Sequence, residues 1–333
     1  MAELVKAAAP EPSPRALRVA IMTDEVGWHT RELQRGLRER GASGRCVDLA
    51  DCRIDTTLAW HGLVLPGFGD GLPDAALVRG IAGGSFEQVT KRLGVLHALA
   101  ALGVPVYNEA RAIERSVDKS MTSLLLHAAG IPTPPTWATE SLAMAQRLVT
   151  RESAAGHAVV LKPLFGSQGK GLLKLGWVDG AHVPLPVEPA LGGADAALYG
   201  GLAYLQRYVE PLAEPGHDWR VLVAGGRAVA AMRRVSTHWV HNVARGARCE
   251  AQSLATGDGP PIARLAVAAA AALEMDYAGV DLMPTREGPL VLEVNGVAAW
   301  QGLQRVAAVD IARTLVDDLL DRKCPALAGR RRA

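Results

Sequence analysis

The stretch KPLFGSQGKG, residues 162–171, lies between two apolar runs, HAVVL before it and LLKLGWV after it. Short runs rich in Val and Leu read as strands, and the glycines between them permit backbone turns that other residues resist. The segment therefore predicts a strand, a glycine-rich loop and a returning strand, a hairpin flap. Two familiar phosphate patterns do not fit it. A P-loop requires Ser or Thr after its GK, whereas Gly171 is followed by Leu172, and the GxGxxG fingerprint opens a helix, not a strand. A flap of this kind can still offer backbone N–H groups to a triphosphate, with Ser167 adding a hydroxyl and Lys162 a compact cation. An ordinary hairpin with a mobile turn fits the same letters, so the stretch needs support from elsewhere.

A second constellation comes more than a hundred residues later. Asp281 in AGVDLM, and Glu293 and Asn295 in PLVLEVN, lie in apolar runs that read as two strands joined through PTREG. The midpoint of 281 and 293 is 287, inside that turn, so Asp281 is expected opposite Glu293. Asn295, two residues further on, shares the face of Glu293. Opposed residues sit about 5 Å apart, close enough for both carboxylates to share one cation or two adjacent ones. An all-oxygen donor set suits Mg²⁺ or Mn²⁺. The apolar setting matters because buried carboxylates need a partner. Arg220, Arg233, Arg234 and Arg245, with Asn242 among them, add cations of the kind that neutralise a transferring phosphoryl group. Of the adjacent Arg233 and Arg234, at most one can face a given site.

A chain of 333 residues predicts two or three domains. Residues 1–15 read as a disordered leader rich in Ala and Pro. Strand ALRVAIM, a helix from Trp28 ended by Gly41, strand and loop LAWHGLVLPGFGDG, helix 88–103 and strand VPVYN predict an α/β domain with a parallel sheet over 16–110. A central unit, 111–200, opens with one helix over 111–130 and carries the flap, with 179–195 read as loop. The C-terminal unit, 201–324, holds the strands YLQRYV, DWRVLVAGG, RAVAAMRRV and the acidic pair, with helices over 260–274 and 309–322; a basic tail, 325–333, follows. The fold class is α/β and α+β, multidomain.

Composition excludes several classes. A net charge of +2 leaves no electrostatic footprint for nucleic acid, and no apolar run approaches the roughly 18 residues of a membrane span. Four cysteines without metal-ligand spacing read as reduced thiols, which with the leader's lack of an apolar segment points to the cytoplasm. HExxH and GxSxG are absent. His29, at the first strand–helix junction, reads as packing at a helix start in preference to a substrate contact, and Trp28, Trp137 and Trp219 as core or hinge packing.

The order of blocks, DKSMTSLLLHAAGIPTP, VVLKPLFGSQGKG, LQRYV, DWRVLVAGGRAVAAMRR, NVARGA, AGVDLM and LEVN, resembles the ATP-grasp superfamily from about Val104 to Asp321, and more narrowly the RimK-type α-L-glutamate ligases. The resemblance implies an ATP-grasp fold behind an N-terminal pre-ATP-grasp domain. Lys119 and Lys162 would contact nucleotide phosphates, and the flap Gly166, Ser167, Gln168, Gly169 and Gly171 would cover them. Gln206, Arg207, Tyr208 and Val209 would form the hinge against adenine, with Asp218 and Asn242 as further nucleotide contacts. Arg220, Arg234 and Arg245 would serve the phosphoryl group and the acyl-phosphate, and Asp281, Glu293 and Asn295 would hold two Mg²⁺ ions. The implied reaction joins L-glutamate to a carboxylate acceptor at the expense of ATP. The implied acceptor is a pterin-type cofactor such as tetrahydromethanopterin, with a ribosomal-protein C-terminus as the alternative. A non-catalytic nucleotide-binding regulator is the reading from another class, and a homo-oligomer is the expected assembly. Two positions depart from the family pattern: Arg207, where relatives often carry Glu, and GVAAWQGLQ after Asn295, which lacks the usual Pro-Gly turn.

Overall fold

The computed structural model describes residues 16–58, 61–166, 171–186 and 201–324. The leader, the basic tail and the loop residues Ser167, Gln168 and Gly169 lie outside them. Strands β1 (Arg18–Met22) and β2 (Ser43–Val47), then β5 (Ala75–Val78) and β6 (Val106–Tyr107), form a parallel sheet of order β2-β1-β5-β6. Both faces are covered, as parallel sheets require. Val19 and Ile21 of β1 pack on one side, Ala20 and Met22 on the other. Helix α1 (Trp28–Glu39) ends as expected at Gly41, whose φ of 62° suits a residue without a side chain. Helix α2 (Phe86–Ala101) starts at a capping box, with Ser85 accepting from Gln88 N.

One expected strand changes place. Among the described residues of LAWHGLVL, Leu63–Val64 is extended (β4), and it pairs with Arg53–Ile54 (β3) in an antiparallel ribbon outside the parallel sheet. Gly62, Gly67 and Gly69 all have positive φ and turn the chain away on both sides. The strand that enters the sheet is AALV at 75–78.

The single helix expected over 111–130 is two, α3 (Ala110–Val117) and α4 (Lys119–Ala128). Asp118 breaks it: its backbone is extended and its Oδ1 accepts from Ser120 N and Met121 N, the arrangement of an N-cap. Lys119 thereby becomes the first residue of a new helix.

The middle sheet contains β7 (Thr136–Thr139), β8 (Ala158–Lys162), β9 (Leu173–Val178), β10 (Ala181–Val183) and β11 (Ala203–Arg207) in the order β10-β9-β8-β11-β7, all antiparallel. The β8–β9 hairpin is the one read from the glycine loop. Ala181–Val183, read as loop, pairs with β9. Helix α5 (Leu142–Ala154), not anticipated, buries Ala145, Leu148 and Val149 against Val159, Leu161 and Leu205.

The third sheet comprises β12 (Gly216–Ala224), β13 (Arg227–Ser236), β14 (Arg248–Ala251), β15 (Tyr277–Met283) and β16 (Leu290–Asn295), ordered β14-β13-β12-β15-β16 and antiparallel throughout. Helix α6 (Gly259–Ala272) covers one face, with Ile262, Ala266 and Ala269 against Val221, Val223 and Val280. The other face is divided along its strands. Leu222, Ala224, Ala230 and Met232 join the core shared with the N-terminal sheet, while Asp218, Arg220, Arg234 and Asp281 occupy the other end.

Two short helices follow, α7 (Gln301–Gln304) and α8 (Ile311–Asp318). Ile311, Leu315 and Val316 of α8 share a core with Leu33 and Leu37 of α1. A Cβ on Gly36 would lie 3.3 Å from Val316 Cγ2, which shows how near the two helices come. Helix α8 is thus part of the N-terminal domain's packing. A second tie is Asn108, fully buried at the end of β6. Its Nδ2 donates to the carbonyls of Tyr277 and Gly296, both at 2.7 Å, and its Oδ1 accepts from Asp276 N and Tyr277 N. Tyr107 and Tyr277 stack beside it at 5.3 Å. No helix among the described residues is long and apolar enough to cross a membrane.

Candidate active site

A cavity of ≈ 630 Å³ lies between the middle and third sheets, and residues of the N-terminal domain complete its wall. On the third sheet the registers Asp218↔Arg234, Arg220↔Asp281 and Asp281↔Glu293 bring three carboxylates and two guanidiniums together across four neighbouring strands. The opposition of Asp281 and Glu293 is the one expected from the midpoint argument. Arg234 grips Asp218 with Nε at 2.7 Å and Nη2 at 2.5 Å, and its Nη2 also lies 3.0 Å from Asp281 Oδ2. Arg220 holds Asp281 through two bonds of 2.6 and 2.7 Å and comes within 3.9 Å of Glu293. Such bidentate pairs are directional and strong, so each side chain fixes the next. Burial opposes the charge on Asp281, yet Arg220 and Arg234 outweigh it and hold the carboxyl well below its ordinary range. Arg233 faces away, with Nε 4.0 Å from Glu250, as strand alternation demands.

The middle sheet supplies two lysines. Lys162, the last residue of β8, donates to Gln206 Oε1 at 2.6 Å, and burial pushes its pKa down to about 8 against the pull of Glu293. Lys119 donates to the carbonyls of Leu164 and Gly166 at 3.1 and 3.0 Å, and burial lowers its pKa too. The ammonium at the head of α4 therefore rests on the first residues of the flap.

Beyond Gln206 the chain lines the cavity through Arg207, Tyr208 and Val209. The Arg207 guanidinium is directed elsewhere: it meets Glu152 of α5 at 2.7 and 2.9 Å. The side chain that departs from the family pattern at this position is thus engaged in an ion pair with α5. Asn242 lines the cavity and caps a short 3₁₀ turn, Val243–Arg245, by accepting from Ala244 N. Gly166 lines it as well, whereas Arg245 and Gly171 do not.

Asp281, Glu293 and Asn295 can be tested as a divalent-cation site. All three carry hard oxygen atoms, and Asn295 donates through Nδ2 to Glu293 Oε1 at 2.9 Å, which sets the two side chains side by side. The Glu293 side chain is 39% exposed and open to the cavity. Among the described residues there is no group of three or more His, Cys, Asp or Glu that could hold a metal by itself. Two carboxylates and an amide fit a magnesium ion that takes its remaining oxygens from phosphate and water, the usual habit of that ion.

Residues outside the site expected from the sequence also reach the cavity. His29 and Arg79 come from the N-terminal domain, and Gln301 and Arg305 from the segment after Asn295. His29 does pack at its helix start, since its Nε2 accepts from Trp300 N and Gln301 N at 3.1 and 3.3 Å, but it faces the cavity as well. The clue for Arg79 was available in its position directly after an apolar strand.

The fold is shared with known structures. The ATP-grasp ligase PsnB, complexed with minimal precursor, Mg and ADP, aligns over 95% of this chain and 98% of its own with a TM-score of 0.63 at 21% identity, which defines an ATP-grasp fold. The family follows from the sequence: residues 116–319 match the RimK-like ATP-grasp domain and 17–113 the RimK PreATP-grasp domain, so the chain belongs to the RimK family of ATP-dependent ligases. It is 30% identical to the tetrahydromethanopterin:alpha-L-glutamate ligase of Methanosarcina acetivorans over 90% of this chain and 97% of that one. It is 32% identical to a probable alpha-L-glutamate ligase of Xanthomonas campestris over 91% and 98%. The resemblance seen in the sequence blocks holds along nearly the whole chain.

Proposed function

We propose that the protein uses ATP to join the amine of L-glutamate to a carboxylate acceptor through an acyl-phosphate, and that the acceptor is a pterin-type cofactor such as tetrahydromethanopterin. The observation that carries this reading is the alternating lattice Asp218–Arg234–Asp281–Arg220–Glu293, set across one cavity from Lys119 and Lys162. Cations from both walls suit a triphosphate, and the lattice fixes their positions before any substrate arrives. Lys162 and Lys119 hold the phosphates, Gln206 to Val209 border the base, and the flap Gly166 to Gly171 closes over the chain of phosphates. Asp281, Glu293 and Asn295 hold the divalent ions, which when bound neutralise phosphate charge. The acceptor carboxylate attacks the γ-phosphorus and ADP leaves; the glutamate amine then attacks the acyl carbon and phosphate leaves. Arg220 and Arg234 face the charge that builds on the transferred group. No side-chain nucleophile is needed, so catalysis consists of positioning, electrostatics and exclusion of water. The acceptor assignment draws on the Methanosarcina relative, and consumption of ATP and free glutamate belongs to the cytoplasm.

The test is ADP release with L-glutamate and a panel of carboxylate acceptors, including glutamyl-tailed pterins and peptides with free C-termini, with product mass measured in parallel. ADP should form only with both substrates present, in step with the new amide. Glu293→Gln should lower turnover at least about a hundredfold, the loss expected when a fixed charge at a reacting phosphoryl group is removed, with circular dichroism unchanged. Undiminished ADP release by that variant would overturn the metal assignment, and amide formation only on peptides would overturn the pterin acceptor.

A further inference from the structure

A nucleotide and its magnesium leave one wall of the cavity unexplained. In a parallel sheet of order β2-β1-β5-β6, the connections leave β1 and β5 in opposite directions. The crevice beyond the carboxyl ends of two such strands is where open α/β sheets bind ligands. Here α1 follows β1 with His29 in its first turn, Arg79 follows β5 directly, and both line the cavity.

Arg79 is mostly buried and forms no ion pair among the described residues. Its Nη1 reaches only the Val297 carbonyl, at 3.5 Å, and its Nε is buried with no acceptor. Its guanidinium lies 5.3 Å over the ring of Trp300, whose own Nε1 is also buried without an acceptor. Asp24 and Glu25 act on Arg79 electrostatically without touching it. A guanidinium withdrawn from water and left without an anion is costly to maintain, and a bound anion removes that cost. His29 does not compete for this role, because burial and Arg79 hold its pKa down at about 4 and the ring is neutral. Arg305, exposed on the segment after α7, faces the same space.

We infer that Arg79, assisted by Arg305, binds a substrate carboxylate that does not react, and so sets the reach of that substrate from the N-terminal domain to the phosphate site. The inference deepens the ligase reading and rests on it for the choice of carboxylate among anions. Two sources share this chemistry, the incoming amino acid and the acceptor.

Calorimetric titration of the full chain separates them, with L-glutamate, glutarate, and a nonhydrolysable ATP analogue with magnesium as probes, on wild type, Arg79→Met and Arg79→Lys. At least one dicarboxylate should bind the wild type saturably. Arg79→Met should weaken it about tenfold or more, the worth of a charged hydrogen bond, and Arg79→Lys should fall between. The ATP analogue should bind all three proteins equally, and ligand-free Arg79→Met should melt no lower than wild type because an unpaired buried charge is gone. Binding of L-glutamate alone assigns the subsite to the amino acid, and equal binding of glutarate assigns it to the acceptor. Failure of both to bind the wild type, or undiminished binding by Arg79→Met, would overturn the inference. So would a lowered melting temperature with loss of the analogue, which would make Arg79 a structural residue. Arg79-dependent carboxylate binding in a wild type that ignores the analogue would support the subsite and sink the nucleotide reading.

Discussion

Lys162 ends β8 with its ammonium on Gln206 Oε1 and its pKa pushed down to about 8, mainly by burial. Between about 8 and the ordinary 10.5 the unfolded chain carries a proton on this residue that the folded chain lacks. Its contribution to stability therefore rises with pH through that window, and below it the enclosed charge is a cost. Phosphates reverse the balance, since an anion beside the amine favours the ammonium. ATP-analogue binding near pH 8 should take up protons and weaken as pH rises further, which titration in buffers of different ionisation enthalpy will measure. Lys162→Met should bind the analogue more weakly and lose the proton uptake; uptake that persists in the variant would assign it to another group.

Among the elements, the sequence was most informative where one strand pattern fixed a partner. The turn at PTREG determined the register of β15 and β16, and the glycines determined the β8–β9 hairpin, because both links are local. Helix α5 escaped, and with it the partner of Arg207. Nothing in the string connects residue 207 with Glu152, which reach each other only after β11 has paired with β8. That ion pair has a measurable consequence. Glu152 is 3% exposed, so Arg207→Ala leaves a buried carboxylate with Arg151 as its remaining partner. Since Arg207 is itself partly exposed, the expected loss is about 1–3 kcal/mol in urea unfolding, with little change in nucleotide affinity. A large loss of affinity at unchanged stability would return the side chain to the nucleotide site. The division at Asp118 was legible in principle, since Asp before Lys-Ser-Met is an N-cap pattern, but the helical patterns on its two sides read as one.

At the level of the molecule, the RimK family blocks conveyed the architecture and said little of how the units join. Asn108 shows why. Its four hydrogen bonds run to residues 276, 277 and 296, and only the finished fold brings these together. An asparagine can donate twice and accept twice at its amide, so this one is fully used. Asn108→Leu strands two buried carbonyls and two buried N–H groups, and should cost about 4 kcal/mol or more at about 1–3 each. Urea unfolding will report it; a loss below about 1 kcal/mol would mean that the seam relaxes around the change.

The pairing of α8 with α1 bears on how the protein is made. A ribosome delivers the N-terminal sheet first, and domains ordinarily fold in that order. Here Leu33 and Leu37 share their core with Ile311, Leu315 and Val316, residues that are synthesised only after both of the following sheets. The N-terminal domain therefore waits through the synthesis of the two sheets that follow it with one apolar face uncovered, and the nascent chain is most exposed to aggregation or chaperone capture until α8 is released.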